Sequence, residues 1–513
     1  MSTHHHARAY SSAAAWAVTA KFESGTTRVE TDLLGEKEVP SDALYGIATA
    51  RAVENYDITG IRLDHYPEFI KALAMTKKAC AMANKDLGLL PRHVFEPINR
   101  ACDEVIDGLH DQHFVVDMIQ GGAGTSTNMN INEVVANVAL QNMGLERGDY
   151  AVINPNDHVN LCQSTNDSYP SAAKIAVVLK HRPLVREMRG LIKALREKGS
   201  EFDHVIKMGR TQLQDAVPMT LGQEFNAMAA TMQHDLEIIE KLVEHFYTLN
   251  LGGTAIGTGL CADERFAEYA IMHLSDVTSL PLKSPDDFIE ATSSTGAFLL
   301  FSGVLRRVSV KLSKICNDLR LLASGPRCGF GEINLPPVAP GSSIMPGKIN
   351  PVIPEVVNQV CFQVVGHDVA ITMASEAGQL QLNVFEPLII YNLLQSMDML
   401  SRGMATLRIK CIEGITANEE RCRELAHNSI GVVTALLPHI GYKRSTAAAA
   451  MALKENIAVG DAVVALGFAT REEVSELLKP ERMTTNRKLG RVCIDTASAH
   501  ELAIHYEATR HIA

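Results

Sequence analysis

The chain has 513 residues, with 48 Lys+Arg against 59 Asp+Glu for a formal charge of −11; 46% of it is hydrophobic and 21% charged. That length predicts roughly two to four packed units, and that composition excludes wholesale disorder. The acidic balance, with no Lys/Arg run, speaks against nucleic acid as a partner, and no apolar run nears the ~20 residues of a membrane helix.

The first ~22 residues are rich in Ala and Ser, carry Arg8, and have no acid before Glu23. This composition fits a plain N-terminal tail and leaves an organelle transit peptide open. His4, His5 and His6 lack the partners of a built metal site. From Arg28 to about Asn160 short elements are expected. Val39-Pro40-Ser41-Asp42 is turn chemistry, Pro67 opens a helix running through Lys71–Asn84, and Val94–His110 reads as another. A polar, glycine-rich loop then spans Gly121 to Asn132, and Pro155 breaks the pattern again.

Beyond Ser168 long helical periodicity sets in. Ala172–Lys198, Leu221–Leu249, Phe298–Ala323, Val352–Ser375 and Leu388–Ile412 each repeat apolar residues at i, i+3/i+4, i+7. Only 5% of the chain is aromatic, with the single Trp16, so aliphatic side chains do the packing. A mainly α protein with a central long-helix bundle follows. On Val352–Ser375, Glu355, Gln359, Gln363 and His367 recur every four residues. That face is either solvated or part of a buried polar network. After Gly414 the helices shorten, with small ones expected from Ala417, at Ala462–Leu466 and at Glu472–Leu478. The domains expected are a tail (1–27), an N-terminal mixed, mostly helical domain (28–165), a central bundle (166–417) and a small C-terminal helical domain (418–513).

Ten cysteines without a C-x-x-C pair read as reduced, mostly buried thiols rather than a zinc site or disulfide framework. Chemistry is expected in loops made of Gly, Ser, Thr and Asn: Gly121–Asn130, Cys162–Asp167 and Gly341–Pro351. A fourth segment, Gly209–Asp215, adds Arg210 and Thr211 ahead of a helix. Neutral donors of this kind hold carboxylates or phosphates. The first loop lacks the Lys of a phosphate-binding loop, and Gly252–Gly257 does not match G-x-G-x-x-G. Gly341–Pro351 is the most telling, with Ser342, Ser343, Lys348 and Asn350 within nine residues, stiffened by Pro346 and Pro351. This suits proton abstraction beside a carboxylate. Lys348 and loop N–H groups would receive the charge of an enediolate, and Ser342 would be the base. His158 reads as a structural hydrogen-bonding residue, and Arg210, Arg320 and Arg327 as partners of acids such as Asp318 and Glu332.

The stretch Ile344-Met345-Pro346-Gly347-Lys348-Ile349-Asn350-Pro351 resembles the signature of the aspartase/fumarase superfamily, in the form of its fumarase and aspartase branch. The resemblance runs from Arg28 to about Leu478 and includes Asp32-Leu33-Leu34-Gly35, Gly209–Ala216 and Ser313–Arg327. Two positions are similar to the aspartases rather than the class II fumarases: Gln212 stands where a fumarase has His, and Asn154-Pro155-Asn156-Asp157 replaces His-Pro-Asn-Asp. Gln163-Ser164-Thr165-Asn166 points the same way. The resemblance implies a three-domain helical fold and a homotetramer whose sites take loops from three chains; the cytoplasmic location expected rests on the unpaired cysteines. It also implies reversible deamination of L-aspartate to fumarate and ammonia, with fumarate hydration and a non-catalytic reuse of the fold as alternatives. It implies Ser342 as base and Lys348 in catalysis. Thr125, Ser164, Thr165, Asn166, Thr211, Ser343 and Asn350 would contact the substrate, and Gln212 occupies a further substrate-binding position. No cofactor is implied, and activation by a divalent cation is left open.

Overall fold

The computed structural model describes residues 25–484. The expectations placed on the N-terminal tail and on the last ~30 residues lie outside them. The chain divides into two compact units, one of residues 1–197, 227–330 and 335–415, the other of residues 198–226, 331–334 and 416–513.

The first unit begins with an antiparallel hairpin, Thr27–Asp32 against Gly35–Pro40. Helices follow at Ile47–Asn55, Pro67–Asp86, Arg92–Ile106 and Thr125–Asn142. Pro67 sits in the first turn of its helix, where its missing N–H leaves no helical hydrogen bond unmade. All five long helices exist: Thr165–Glu201, Leu221–Leu242, Gly296–Leu322, Val352–Glu376 and Glu386–Lys410. The second stops short of the expected Leu249 and tightens into a 3-10 turn, Val243–Tyr247. The Val352–Glu376 helix packs on both Gly296–Leu322 and Glu386–Lys410. Phe246 and Phe298 meet with ring centroids 5.5 Å apart, Phe246 and Phe301 at 5.4 Å.

Buried charges lock these helices in place. Lys180, 4% exposed, reaches Asp398 at 2.6 Å and Glu68 at 3.0 Å, tying three helices together. Asp235, fully buried, takes Arg307 at 2.9 Å and Lys311 at 2.7 Å. The four-residue polar repeat resolves into both alternatives at once. His367 is buried, its Nδ1 2.9 Å from the Ser396 hydroxyl and its Nε2 2.9 Å from the Gln363 amide, whereas Gln359 and Gln363 are exposed.

The second unit holds the antiparallel hairpin Ile206–Thr211/Gln214–Thr220 and a short pair, Ile333–Asn334 against Thr416–Ala417. Helices follow at Glu419–Asn428, Val433–Ile440, Tyr442–Glu455, Val459–Ala465, Arg471–Leu477 and Pro480–Thr484. Leu436, Ile440, Ala448, Ala452, Val459, Ala462, Val463 and Val474 form their core. Thr470 and Glu473 cap the Arg471–Leu477 helix reciprocally, satisfying two backbone donors that the helix start leaves open.

Candidate active site

The first polar stretch is not a loop throughout. Gly122, Ala123 and Gly124 are all left-handed (φ 86°, 57° and 91°), and the helix starts at Thr125. A Cβ on Gly124 would lie 2.5 Å from the Tyr169 ring, so only glycine turns the chain here. Polar residues misled the reading, because this helix buries them. Asn128, Asn130, Asn132 and Glu133 are at most 2% exposed and are held by hydrogen bonds. Thr125 remains exposed at the helix start, its hydroxyl donating to Gly122 O at 2.7 Å. Thr127 is buried against Gln120 and serves the local fold.

The second loop is likewise the lead-in to a helix, which begins at Thr165. Ser164, Thr165 and Asn166 are half-buried. Their anchor is Asp167, fully buried. Its Oδ1 accepts the Ser164 N–H at 2.9 Å, and its Oδ2 accepts those of Gly252 and Thr254 at 3.0 Å each. Burial pushes the Asp167 carboxyl up to about 6, against the pull of those donors and of Lys77. Asn166 donates to Ala255 O at 2.8 Å and accepts from Asn250 at 2.9 Å through its backbone carbonyl. Lys77, 1% exposed, joins the first two segments. Its ammonium donates to Asn128, Asn160 and Gln163 at 2.7, 3.0 and 2.8 Å. Burial lowers its pKa to about 8.

In the third loop Ser342 is half-buried, while Ser343 and Lys348 are exposed. The Ser342 Oγ accepts two backbone N–H groups, from Ile344 at 3.2 Å and Met345 at 3.0 Å. Asn350 closes the loop at its base by donating to Gly341 O at 2.5 Å, and Gly341 N–H donates to Lys348 O at 2.8 Å. A Cβ on Gly341 would meet that oxygen at 2.3 Å, and Gly347 is left-handed (φ 78°).

Thr211 and Gln212 belong to the second unit. The segment expected just ahead of a helix is instead a strand, turn and strand. Gln212 and Leu213 form the turn (φ 54° and 61°), with Thr211 and Gln212 exposed at its tip. Glu332, fully buried, holds the hairpin through Arg210 and Lys207, each at 2.8 Å; the reading of Arg210 as its partner stands. Arg320, by contrast, donates to Asn317 and Asn358. His158 Nδ1 accepts the Asn154 N–H at 3.0 Å, a structural role.

Among the described residues, no hydrogen bond joins the 341–351 loop to Thr125 or to Ser164–Asn166. The first two segments are tied together through Lys77 and held by the 250–255 segment, whereas the 341–351 loop is closed by its own hydrogen bonds. The nine described cysteines are free, six of them buried, and no group of three or more His, Cys, Asp or Glu is placed to hold a metal ion among the described residues.

Residues 35–366 match a family described as lyase, and residues 432–485 match one described as the fumarase C C-terminus. The chain is also 55% identical to an aspartate ammonia-lyase of Pseudomonas aeruginosa over 90% of its length and 98% of that protein's. It belongs to the aspartase/fumarase superfamily. Within the superfamily, an aspartate ammonia-lyase of Escherichia coli is 49% identical over 90% of this chain and 96% of its own. Two solved superfamily structures each cover 90% of this chain and are themselves covered fully. One is a fumarate lyase:delta crystallin of Brucella melitensis bound to cobalt (53% identity, TM-score 0.88); the other is a class II fumarase of Schistosoma mansoni (35%, 0.86). The mainly helical aspartase/fumarase fold expected from the sequence is the fold observed.

Sequence reasoning missed Lys77, Asp167 and the Asn250–Ala255 loop. A lysine inside an apolar helix and an aspartate behind Ser-Thr-Asn are faint signals. Gly252-Gly253 drew notice only as a failed dinucleotide motif.

Proposed function

We propose that this enzyme is an aspartate ammonia-lyase working through Ser342. The observation that carries the chemistry is the Ser342 Oγ under two backbone N–H donors. A serine hydroxyl is a poor base until its alkoxide is stabilised. Donors fixed by the loop do this without reorganisation.

The alkoxide takes a proton from the carbon next to the substrate's side-chain carboxylate. Charge passes into that carboxylate as an enediolate, which Lys348, Ser343 and loop N–H groups stabilise. The enediolate then collapses, the carbon–nitrogen bond breaks, and fumarate and ammonia leave. Thr125, Ser164, Thr165, Asn166, Thr211 and Asn350 hold the carboxylates and the ammonium, which needs acceptors for its three N–H groups. Gln212 supplies one more acceptor. Hydroxide is a poorer leaving group and calls for a proton donor, which neither Gln212 nor Asn154 can be. This favours deamination over fumarate hydration. No step is routed through a metal, and activation by a divalent cation would act outside this scheme.

The working form proposed is a homotetramer with sites shared between chains. On the Val352–Glu376 helix, Phe362, Val369 and Met373 lie on one face and are 63%, 55% and 67% exposed. A row of large apolar side chains on a central helix is interface material. No described helix is long and apolar enough to cross a membrane, and the location proposed is the cytoplasm. The deciding experiment follows fumarate absorbance from L-aspartate and from L-malate with one preparation. L-Aspartate is the expected substrate; malate turnover equal to or faster than that of aspartate would replace this reading with the hydratase.

A further inference from the structure

The second unit holds a cleft that the proposed reaction does not use. Its volume is about 600 Å³, within the range of small-molecule sites, and every residue lining it belongs to that unit. Its apolar wall is aliphatic. The two hairpin strands supply Ile206 and Pro218, and the small helices supply Val459, Val464, Val474 and Leu478. Val464 and Leu478 pack against the helical core yet stay half-buried, so the core opens to solvent here. Apart from two imidazoles, no aromatic ring lines the cleft. The Glu419–Asn428 helix adds Glu419, Arg423 and His427, spaced one turn apart. Both acids of the cleft are already taken: Glu419 by His204 at 3.2 Å, Asp461 by Arg471 at 3.3 Å. Arg421, on the same helix but outside the cleft, pairs with Glu424 at 2.9 Å. Among the described residues no acid pairs with Arg423 or His427, and both are exposed.

We propose that this cleft binds an aliphatic monocarboxylate, its carboxylate on the Arg423 guanidinium and its hydrocarbon chain along the apolar wall. A guanidinium matches a carboxylate with two parallel hydrogen bonds, and His427, one turn on, can donate a third. The hydrocarbon chain covers Ile206, Val464, Val474 and Leu478, taking apolar surface of both partners out of water. Neither half suffices alone. An exposed ion pair by itself is worth little, and a chain without an anion leaves Arg423 unmatched. A dicarboxylate or a polyphosphate would set its second charge against Glu419, Asp461 or the apolar wall, where an unpaired charge is costly. A nucleotide would find no ring to stack its base on.

The test reads binding directly and so does not depend on the reaction assigned above. Octanoate is titrated into the full-length enzyme by isothermal calorimetry, with and without excess fumarate. One octanoate per chain is expected, with a Kd below about 1 mM, and fumarate should leave it unchanged. Acetate, which lacks the chain, and octan-1-ol, which lacks the charge, should each bind at least about tenfold more weakly. Arg423→Gln should weaken octanoate by at least about tenfold. Ser475→Trp, which fills the cleft from an exposed position on its wall, should remove binding. Thermal unfolding checks that each variant is folded, and either one alone decides the site. Absence of saturable binding, several octanoates per chain, or wild-type affinity in a folded variant would overturn the proposal. Displacement by fumarate would move the ligand to the candidate active site and overturn it as well, and octan-1-ol binding as tightly as octanoate would overturn the role of Arg423.

Discussion

Replacing Ser342 with Ala removes the proposed base and little else. The Oγ accepts from Ile344 at 3.2 Å and Met345 at 3.0 Å. A hydrogen bond to a neutral hydroxyl is worth about 1 kcal/mol and one to a charged acceptor about 1.5–3 kcal/mol. Two such donors therefore favour the alkoxide by roughly 1–4 kcal/mol, which is about one to three pKa units at ~1.4 kcal/mol per unit. A lysine ammonium held about 5 Å away at an effective dielectric of about 20 would add ~3 kcal/mol. These contributions act only when the oxygen is anionic, so they appear in the transition state and not in substrate binding. The expected outcome is a kcat loss of roughly 10²–10⁴-fold with KM little changed. Fumarate absorbance under saturating L-aspartate measures it. The two freed N–H groups sit on an exposed loop where water replaces the hydroxyl, so thermal unfolding should move by no more than about 0.5 kcal/mol. A variant keeping more than about a tenth of wild-type kcat would refute Ser342 as base.

Lys348→Ala should lower kcat and raise KM together, because an ammonium contacts a carboxylate in the ground state as well as in the transition state; unchanged KM would place the lysine away from the substrate. Asp167 gives an acid limb. Its carboxyl protonates as pH falls through about 6, which costs the Ser164, Gly252 and Thr254 N–H groups their anionic acceptor. Activity should fall below that pH, and Asp167→Asn should be slow at every pH without that limb; a variant retaining it would assign the limb to another group. Thr125→Ala and Ser342→Ala, each inactive alone, should partly restore activity when their subunits are mixed, and light scattering should give a tetramer; a fully active monomer would defeat the shared site.

The helical class and the long central helices follow from sequence alone. Their apolar stripes recur at the helical period over about seven turns, and nothing else buries such a pattern. The loop proposed to carry the chemistry could be picked out for a different reason: Ser342, Lys348 and Asn350 lie within nine residues, so their association needs no long-range information. Tertiary structure decided what the polar segments become. Thr125–Asn132 and Thr165 onward have loop-like composition, yet both are helix, because Lys77, Gln120, Asn160 and the 252–254 backbone satisfy their polar side chains from far along the chain. Gly209–Asp215 became a hairpin tip because the Ile206–Thr211 strand pairs with Gln214–Thr220, and pairing is a property of two strands that neither one carries. Asp167 and Lys77 left only faint signals for the same reason. A buried charge is tolerated only where enough partners converge on it, and such partners meet only once the chain has folded.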